Sequence, residues 1–167
     1  MGLFSRFKQW FFKRSIEEAA RYDAYQLKLR SIPAEQIREL AYDYLQNSGE
    51  WECKPQVSEF LDPRFGPDLK ELFLQYSFIW IGGSFELNSE PANDCSPCPE
   101  GFFKIGHYIE SDVLAEINGD KIVILGYCET LDEKTETYPS VFHALVAMTY
   151  VGEDIEALTA LEATGQV

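Results

Sequence analysis

The segment FFKIGHYIESDVLAEINGDKIVIL, residues 102–125, gives the clearest indication of secondary structure in this chain. It contains the runs FFKIG, DVLAEIN and, continuing past residue 125, KIVILGYCE. These runs are rich in β-branched and aromatic residues and are predicted to be strands. Asn118-Gly119 stands between the last two runs and favours a type I′ turn, which needs positive φ at both central residues. The segment therefore predicts an antiparallel hairpin with a further strand before it.

Polar residues within the same segment raise the question of a proton-transfer or metal site. His107 stands between a glycine and a tyrosine, and Glu110 and Asp112 follow closely. Because glycine lets a chain turn, we interpret residues 107–112 as the turn from one strand into the next. On this interpretation the role of the segment is structural, and His107 and Asp112 belong to a surface that partners contact.

Helical patterns precede the strands. Ser15-x-x-Glu18 is a capping box and predicts a helix over SIEEAARYDAYQLKLR. Pro33 suits the first turn of a second helix, which ends near Gly49. Its apolar stripe consists of Ile37, Leu40, Ala41, Tyr44 and Leu45. Residues 47–67 contain several prolines and glycines and are predicted to be a connection without an element of its own.

The remaining segments complete an α+β pattern. PDLKELFLQY predicts a short helix, FIWIGGSFEL a strand broken at Gly82-Gly83, and NSEPANDCSPCPEG a loop. YPSVFHALVAMTY and EDIEALTALEA predict two final helices. Helices, strands and helices in this order indicate an α+β fold, an antiparallel sheet with N-terminal and C-terminal helices packed on it in a single domain. We divide the chain into residues 1–14, a basic aromatic segment, and residues 15–167, the domain.

The charge is strongly acidic and unevenly distributed. The chain of 167 residues has 28 acidic and 14 basic residues and a net charge of −14. Residues 1–14 carry four basic residues and no acid, which leaves −18 on the remainder. A field of this sign disfavours nucleic acid as a direct ligand and favours a basic protein or peptide as a partner. The alternative is that the acidic charge only makes the protein soluble.

The N-terminal run LFSRFKQWFFKR has the pattern of a short amphipathic helix. Its aromatic residues are candidates for contact with an anionic membrane surface: Phe4, Phe7, Trp10 and Phe11. The alternative is that these aromatics dock on the body of the domain. No window of 18 apolar residues and no secretory signal is found, so we expect a cytoplasmic protein, with peripheral contact to the inner face of the membrane as the alternative.

Cys95-Ser-Pro-Cys98 is the most conspicuous chemical motif. A structural zinc site needs two more ligands, whereas Cys53 and Cys128 are isolated in the sequence. A redox pair needs a helix directly after the motif, where Pro99 follows instead. We expect an ordinary loop with two thiols, with metal binding, redox chemistry and a disulfide as the alternatives, and we expect no cofactor.

No enzyme motif is recognised in the sequence. A Gly-x-Ser-x-Gly nucleophile elbow and a Gly-x-x-x-x-Gly-Lys phosphate loop do not occur, and neither His107 nor His143 has metal-ligand spacing. His143 lies in an apolar helical run, where we expect a packing role. The sequence therefore predicts a protein that is not an enzyme.

The order of these pieces resembles the SUKH family, whose fold is shared by fungal cell-wall-synthesis regulators and bacterial immunity proteins. Pro67-Asp-Leu-Lys-Glu-Leu-Phe resembles the helix that opens the family's domain, and Ile81-Gly82-Gly83 resembles a variant of the turn that follows it. FFKIGHYIESDVLAEINGDKIVIL is similar to the family's most recognisable run, and Pro139-Ser140-Val-Phe-His-Ala-Leu to its closing helix. The resemblance covers roughly residues 33–150.

The resemblance implies a non-enzymatic binding protein, most often a bacterial immunity protein that covers the active surface of a cognate toxin. The acidic charge fits a basic toxin domain, such as a nuclease that must hold phosphate. We expect the contact surface among acidic residues on the sheet and its turns: Glu110, Asp112, Glu116, Asp120, Glu129, Asp132 and Glu133. The alternative is a peripheral membrane or scaffold protein that acts through residues 1–14.

Overall fold

The computed structural model describes residues 20, 23–47, 51–56, 61–81, 84–90, 98–126, 131 and 135–149. Helix α1 covers residues 23–31. The other helices are α2 (Ala34–Asn47), α3 (Pro67–Gln75) and α4 (Val141–Thr149). The strands are β1 (Trp51–Pro55), β2 (Tyr76–Ile81), β3 (Phe85–Asn88), β4 (Phe102–Tyr108), β5 (Ser111–Glu116), β6 (Ile122–Gly126) and β7 (Glu136–Tyr138). The predicted helix over residues 153–163 lies outside the described residues.

The strands form one antiparallel sheet whose spatial order is the order of the chain, from β1 to β7. Strands β2 to β6 each pair with the strand before and the strand after, and among the described strands β1 and β7 are the edges. This arrangement confirms the predicted α+β fold with an antiparallel sheet.

One face of the sheet carries the main hydrophobic core. Along β5, Val113 and Ala115 point to this face and Leu114 points to the opposite one, because side chains alternate along a strand. The helices cover the core face with apolar residues at helical spacing, and the predicted stripe of α2 contributes Ile37, Ala41 and Leu45. The largest fully buried side chains are Phe65, Phe73, Phe85, Tyr138 and Phe142.

The opposite face of the sheet has a smaller apolar cluster. Leu114, Val123 and Leu125 are buried there, with Cys98 and Phe102 packed against them. Because of this cluster, β6 is apolar on both faces. Its sequence Ile122–Leu125 is therefore a continuous apolar run rather than an alternation of apolar and polar residues.

The prediction that residues 47–67 form a connection without an element was wrong. Trp51–Pro55 is a strand, and it pairs with β2 from Trp51↔Ile81 to Lys54↔Phe78. Pro55 is compatible with this strand because it lies at its end and at the edge of the sheet. The pairing with β2 thus overrides a local composition that indicates a loop.

The turn between β4 and β5 is shorter than predicted. Strand β4 continues to Tyr108 and β5 begins at Ser111, so the turn consists of Ile109 and Glu110. The interpretation of residues 107–112 as one turn was therefore wrong, because His107 pairs with Asp112 and Tyr108 pairs with Ser111 across the hairpin.

Gly106 lies inside β4 and does not form the turn. It follows an irregularity in the pairing between Lys104 and Gly106. A Cβ atom at this position would lie 1.8 Å from the carbonyl oxygen of Glu86 on β3. The glycine is therefore required by the close approach of the neighbouring strand.

The hairpin between β5 and β6 is confirmed, although its turn is not of type I′. Asn118 has a positive φ of 58°, whereas Gly119 does not lie in the left-handed region. The N–H of Gly119 donates to the carbonyl of Glu116 at 3.2 Å, and the N–H of Glu116 donates to the carbonyl of Lys121 at 3.0 Å. The connection is thus longer than a two-residue turn, with Asn118 as its left-handed residue.

Candidate functional site

His107 lies beside a cross-strand ion pair on the face opposite the main core. Its side chain is 56% exposed, and its Nδ1 lies 3.6 Å from Oδ1 of Asp112 on β5. The same oxygen lies 2.6 Å from Nζ of Lys104, whose side chain is largely buried. Lys104 therefore neutralises Asp112, which makes this carboxylate a poor candidate for binding a basic partner.

The tip of the β4–β5 hairpin presents an apolar side chain beside an acidic one. Ile109 is 69% exposed and has a positive φ of 55°, which is unfavourable for a β-branched residue. Its N–H donates to the carbonyl of Ser84 at 2.9 Å and so ties this tip to the preceding hairpin. Glu110 is exposed next to it. Of the described acidic candidates, Glu110 is the one whose surroundings best fit contact with a partner.

Asp120 has a structural role at the opposite end of the sheet. Its Oδ1 accepts a hydrogen bond from the backbone N–H of Asp68 at 2.9 Å. Asp68 is in the first turn of α3, and the N-cap residue Gly66 makes no side-chain capping bond. Asp120 thus caps α3 from a distant part of the chain, which is favourable because helix N-termini lack partners for their N–H groups.

A backbone contact holds the β5–β6 hairpin against the segment before α3. The N–H of Asn118 donates to the carbonyl of Arg64 at 2.8 Å. Arg64 in turn pairs with Asp62 at 2.6 Å and lies over the ring of Phe103 at 4.4 Å, and it holds the pKa of Asp62 below its usual range. The β5–β6 hairpin is therefore anchored to the segment before α3.

The structure does not bring the four predicted acidic residues that it describes into one patch. Asp112 and Glu116 lie near opposite ends of β5, about 13 Å apart at 3.3 Å per residue. Glu110 is at the end near Asp112, and Asp120 is beyond the end near Glu116. Three further candidates lie outside the described residues: Glu129, Asp132 and Glu133.

Sequence reasoning missed an acidic stripe on α2. Glu35, Glu39 and Asp43 follow one another at intervals of four residues, so they share one face of the helix, and all three are exposed. The stripe lies on the side away from the buried Ile37 and Ala41. The same periodicity that predicted the apolar stripe could have revealed it.

The cysteine motif is described only in part. Cys95 lies outside the described residues, whereas Cys98 is partly buried and packs against the cluster of Leu114, Val123 and Leu125. Cys53 belongs to β1 and packs on the main core, and burial raises the pKa of its thiol to about 12. Within the described part of the chain, no group of three His, Cys, Asp or Glu side chains could hold a metal ion.

Ser140 and His143 have the separation of a nucleophile and its base, but both are buried. Ser140 Oγ lies 2.8 Å from His143 Nδ1, and His143 Nε2 lies 3.4 Å from the carbonyl of Ile32. The exposed fractions are 4% for Ser140 and 3% for His143. Burial lowers the pKa of His143. The pair lies at the start of α4 and joins it to the residue after α1, as expected for the predicted packing role of His143.

The N-terminal candidates Phe4, Phe7, Trp10 and Phe11 lie outside the described residues. Among the helices of the described segments, none is long and apolar enough to cross a membrane. Comparison of the chain with protein-family models, with curated proteins and with solved structures finds no match.

Proposed function

We propose that this protein is a non-enzymatic binding module of the bacterial immunity type, which neutralises a cognate toxin by covering a basic surface. The net charge of −14 carries the proposal. The sequence resemblance to the SUKH family suggests the class of function, and the charge suggests the chemistry of the partner. A nuclease toxin suits this chemistry, because the cleft that holds its phosphate substrate is basic.

The distribution of charge among the described residues supports an acidic contact surface. Several cations are held in contacts with carboxylates of the same chain: Arg38 with Asp68, Arg64 with Asp62, and Lys104 with Asp112. The α2 stripe of Glu35, Glu39 and Asp43 is meanwhile exposed, as is Glu110. We therefore assign Glu35, Glu39 and Glu110 to the acidic contact surface.

The first experiment is affinity purification of the tagged full-length chain from its native host, with soluble and membrane fractions analysed separately by mass spectrometry. We expect a stoichiometric soluble partner with a basic domain that dissociates at high salt, because exposed ionic contacts are screened. Expression of that domain should stop growth, and co-expression of this protein should restore it. A partner that remains bound at high salt and is harmless to cells would contradict the proposal.

A charge-reversal series then locates the surface. Glu35→Lys with Glu39→Lys tests α2, and Glu110→Lys tests the hairpin tip. Charge reversal at the contact should slow association and reduce its salt dependence. Asp120→Lys is unsuitable because Asp120 caps α3. If neither set of reversals changes the association rate or the salt dependence, the electrostatic mechanism is wrong.

The second candidate function is peripheral membrane association, which the basic aromatic sequence of residues 1–14 favours. Deletion of these residues should release the protein from membranes and leave binding to a soluble partner intact. Recovery mainly in the membrane fraction, lost on deletion, would favour this function over the immunity role.

A further inference from the structure

Among the described strands, β1 is an edge of the sheet, and its side chains that point away from the main core are charged. Glu52 and Lys54 are each 61% exposed and lie 3.9 Å apart from carboxylate to ammonium. They point to the face opposite the main core, while Cys53 between them packs on that core. An edge strand presents backbone groups that a further strand can pair with.

The hydrogen-bond pattern identifies which backbone groups face away from β2. Ser89 N–H donates to Ser77 O, so the odd-numbered residues of β2 are bonded towards β3 and the even-numbered ones towards β1. In the β1–β2 register, Glu52 is opposite Trp80 and Lys54 is opposite Phe78. The backbone groups of Glu52 and Lys54 therefore form the hydrogen bonds to β2. The N–H and C=O groups of Trp51 and Cys53 therefore point to the open edge. The C=O of Pro55 instead accepts a hydrogen bond from Oγ of Ser77 on β2 at 3.2 Å.

An antiparallel pairing of β1 with β1 of a second copy is self-complementary in charge. A two-fold axis at Cys53 sets Glu52 of one chain opposite Lys54 of the second copy, and the reverse, so two ion pairs form across the new pair of strands. A shift of the pairing in one direction sets Glu52 opposite Glu52 of the second copy, and a shift in the other direction sets Lys54 opposite Lys54 of the second copy. Like charges directly opposite each other are destabilising. The charge pattern thus selects a single register.

The outward backbone groups fit the same register. Cys53 N–H would donate to the Cys53 carbonyl of the second copy, and this bond would occur twice by symmetry. Pro55 has no N–H, so it ends the ladder. Phe78, over which Lys54 Nζ lies at 4.8 Å, and the partly exposed Trp80 form the apolar floor beside the charged pairs.

We propose that two copies of this chain form a closed dimer by antiparallel pairing of their β1 strands, centred on Cys53. This interface is separate from the acidic surfaces assigned to a partner on α2 and at the β4–β5 tip. The dimer can therefore form whether or not the proposed immunity function is correct.

Charge reversal with restoration tests the proposal. Sedimentation equilibrium of the full-length protein, from micromolar to submillimolar concentration, should give a monomer–dimer equilibrium. Glu52→Lys and Lys54→Glu should each raise the dimer dissociation constant by about tenfold, because each change converts two attractive contacts into two repulsive ones. The double variant Glu52→Lys/Lys54→Glu should restore wild-type association.

The two single charge reversals distinguish a direct contact between the β1 strands from an effect of net charge. Glu52→Lys makes the protein less acidic and Lys54→Glu makes it more acidic, so an effect of overall repulsion would move the two dissociation constants in opposite directions. Glu39→Lys on α2 and Lys70→Glu on α3 are matched exposed controls and should leave association unchanged. A protein that is monomeric throughout, or a dimer indifferent to the single reversals, would overturn the proposal. Unfolding midpoints measured in urea establish that each variant is folded.

Discussion

Asp120, between β5 and β6, accepts a hydrogen bond at 2.9 Å from the backbone N–H of Asp68, which is 52 positions earlier in the chain. This bond connects a hairpin turn to the first turn of α3, whose own N-cap residue, Gly66, has no side chain with which to cap it. The orientation of α3 against the sheet is thus coupled to the conformation of the β5–β6 turn.

Removal of this cap should destabilise the fold. We expect Asp120→Ala to lower the free energy of unfolding by about 1 kcal/mol, since an N–H of the helix terminus loses its acceptor. Asp120→Asn keeps an acceptor oxygen and should cost less. Urea unfolding followed by circular dichroism measures both. Glu110→Ala, in the exposed turn between β4 and β5, is the control and should change stability by less than about 0.5 kcal/mol. Equal effects of Asp120→Ala and Glu110→Ala would mean that the bond contributes nothing.

Gly106→Ala should be among the most damaging small substitutions in the chain. The added methyl group would lie 1.8 Å from the carbonyl oxygen of Glu86, so β3 and β4 must separate. We expect a loss of about 3 kcal/mol or more in the free energy of unfolding, at the upper end of overpacking effects. Gly101→Ala is the comparison, because its Cβ would meet open space and only its φ of 85° opposes the change. Denaturant midpoints that rank Gly101→Ala as the worse variant would refute this account.

Ile109→Gly should stabilise the protein. A positive φ is costly for a β-branched residue and is readily adopted by glycine, and the exposed isoleucine loses little packing. We expect a gain of roughly 0.5–1 kcal/mol in the free energy of unfolding. Ile117→Gly is the matched control: Ile117 is also exposed in a hairpin turn, but its φ is not positive, so the change should be neutral or destabilising. Thermal and urea denaturation of the two variants should shift in opposite directions, and a parallel shift would contradict the strain at Ile109.

The buried His143 should make the fold sensitive to mild acid. Burial lowers the pKa of His143 from 6.5, although the Ile32 carbonyl and the charge of Asp68 oppose this shift. Below pH 6.5 the unfolded chain binds a proton that the folded chain does not, so the free energy of unfolding decreases as the pH falls towards the folded-state pKa. Urea unfolding between about pH 8 and about pH 5 covers this range.

His143→Gln is the variant that tests the acid sensitivity. It should be less stable at neutral pH, because the contacts to Ser140 and Ile32 change, but its stability should decrease less over the same pH range. His107→Gln removes the exposed imidazole instead and serves as the control. A His143→Gln profile parallel to that of the wild type would assign the acid sensitivity to the carboxylates.

The elements that sequence patterns predicted correctly are those whose pattern is local. Pro67 opens α3 as a first-turn proline, and Asn118 adopts the left-handed conformation typical of turns. In the predicted stripe of α2, Ile37, Ala41 and Leu45 are buried. Strand β1 was missed because Pro55 and its neighbours have the local preferences of a loop, and only pairing with β2 makes the segment a strand. Gly106 was misread because a glycine needed for close approach cannot be distinguished by sequence from one needed for a turn.

The candidate site was less predictable than the fold for the same reason. The acidic residue types were evident, but their partners were not: Lys104 neutralises Asp112 across a hairpin, and Asp120 is committed to α3. The stripe of Glu35, Glu39 and Asp43 required only helical periodicity, so it could have been predicted. Whether these residues bind a partner depends on a second molecule, whose chemistry the sequence indicates only through net charge.

The agreement between strand order and chain order has a consequence for how the protein is made. From β2 onwards, each strand finds its pairing partner already synthesised when it leaves the ribosome, so the sheet can grow one strand at a time. Helix α4 follows the last strand and packs against α2, which was made before the first strand. The core therefore closes only after residues 141–149 have emerged, and until then the nascent sheet exposes an apolar face that a chaperone could bind.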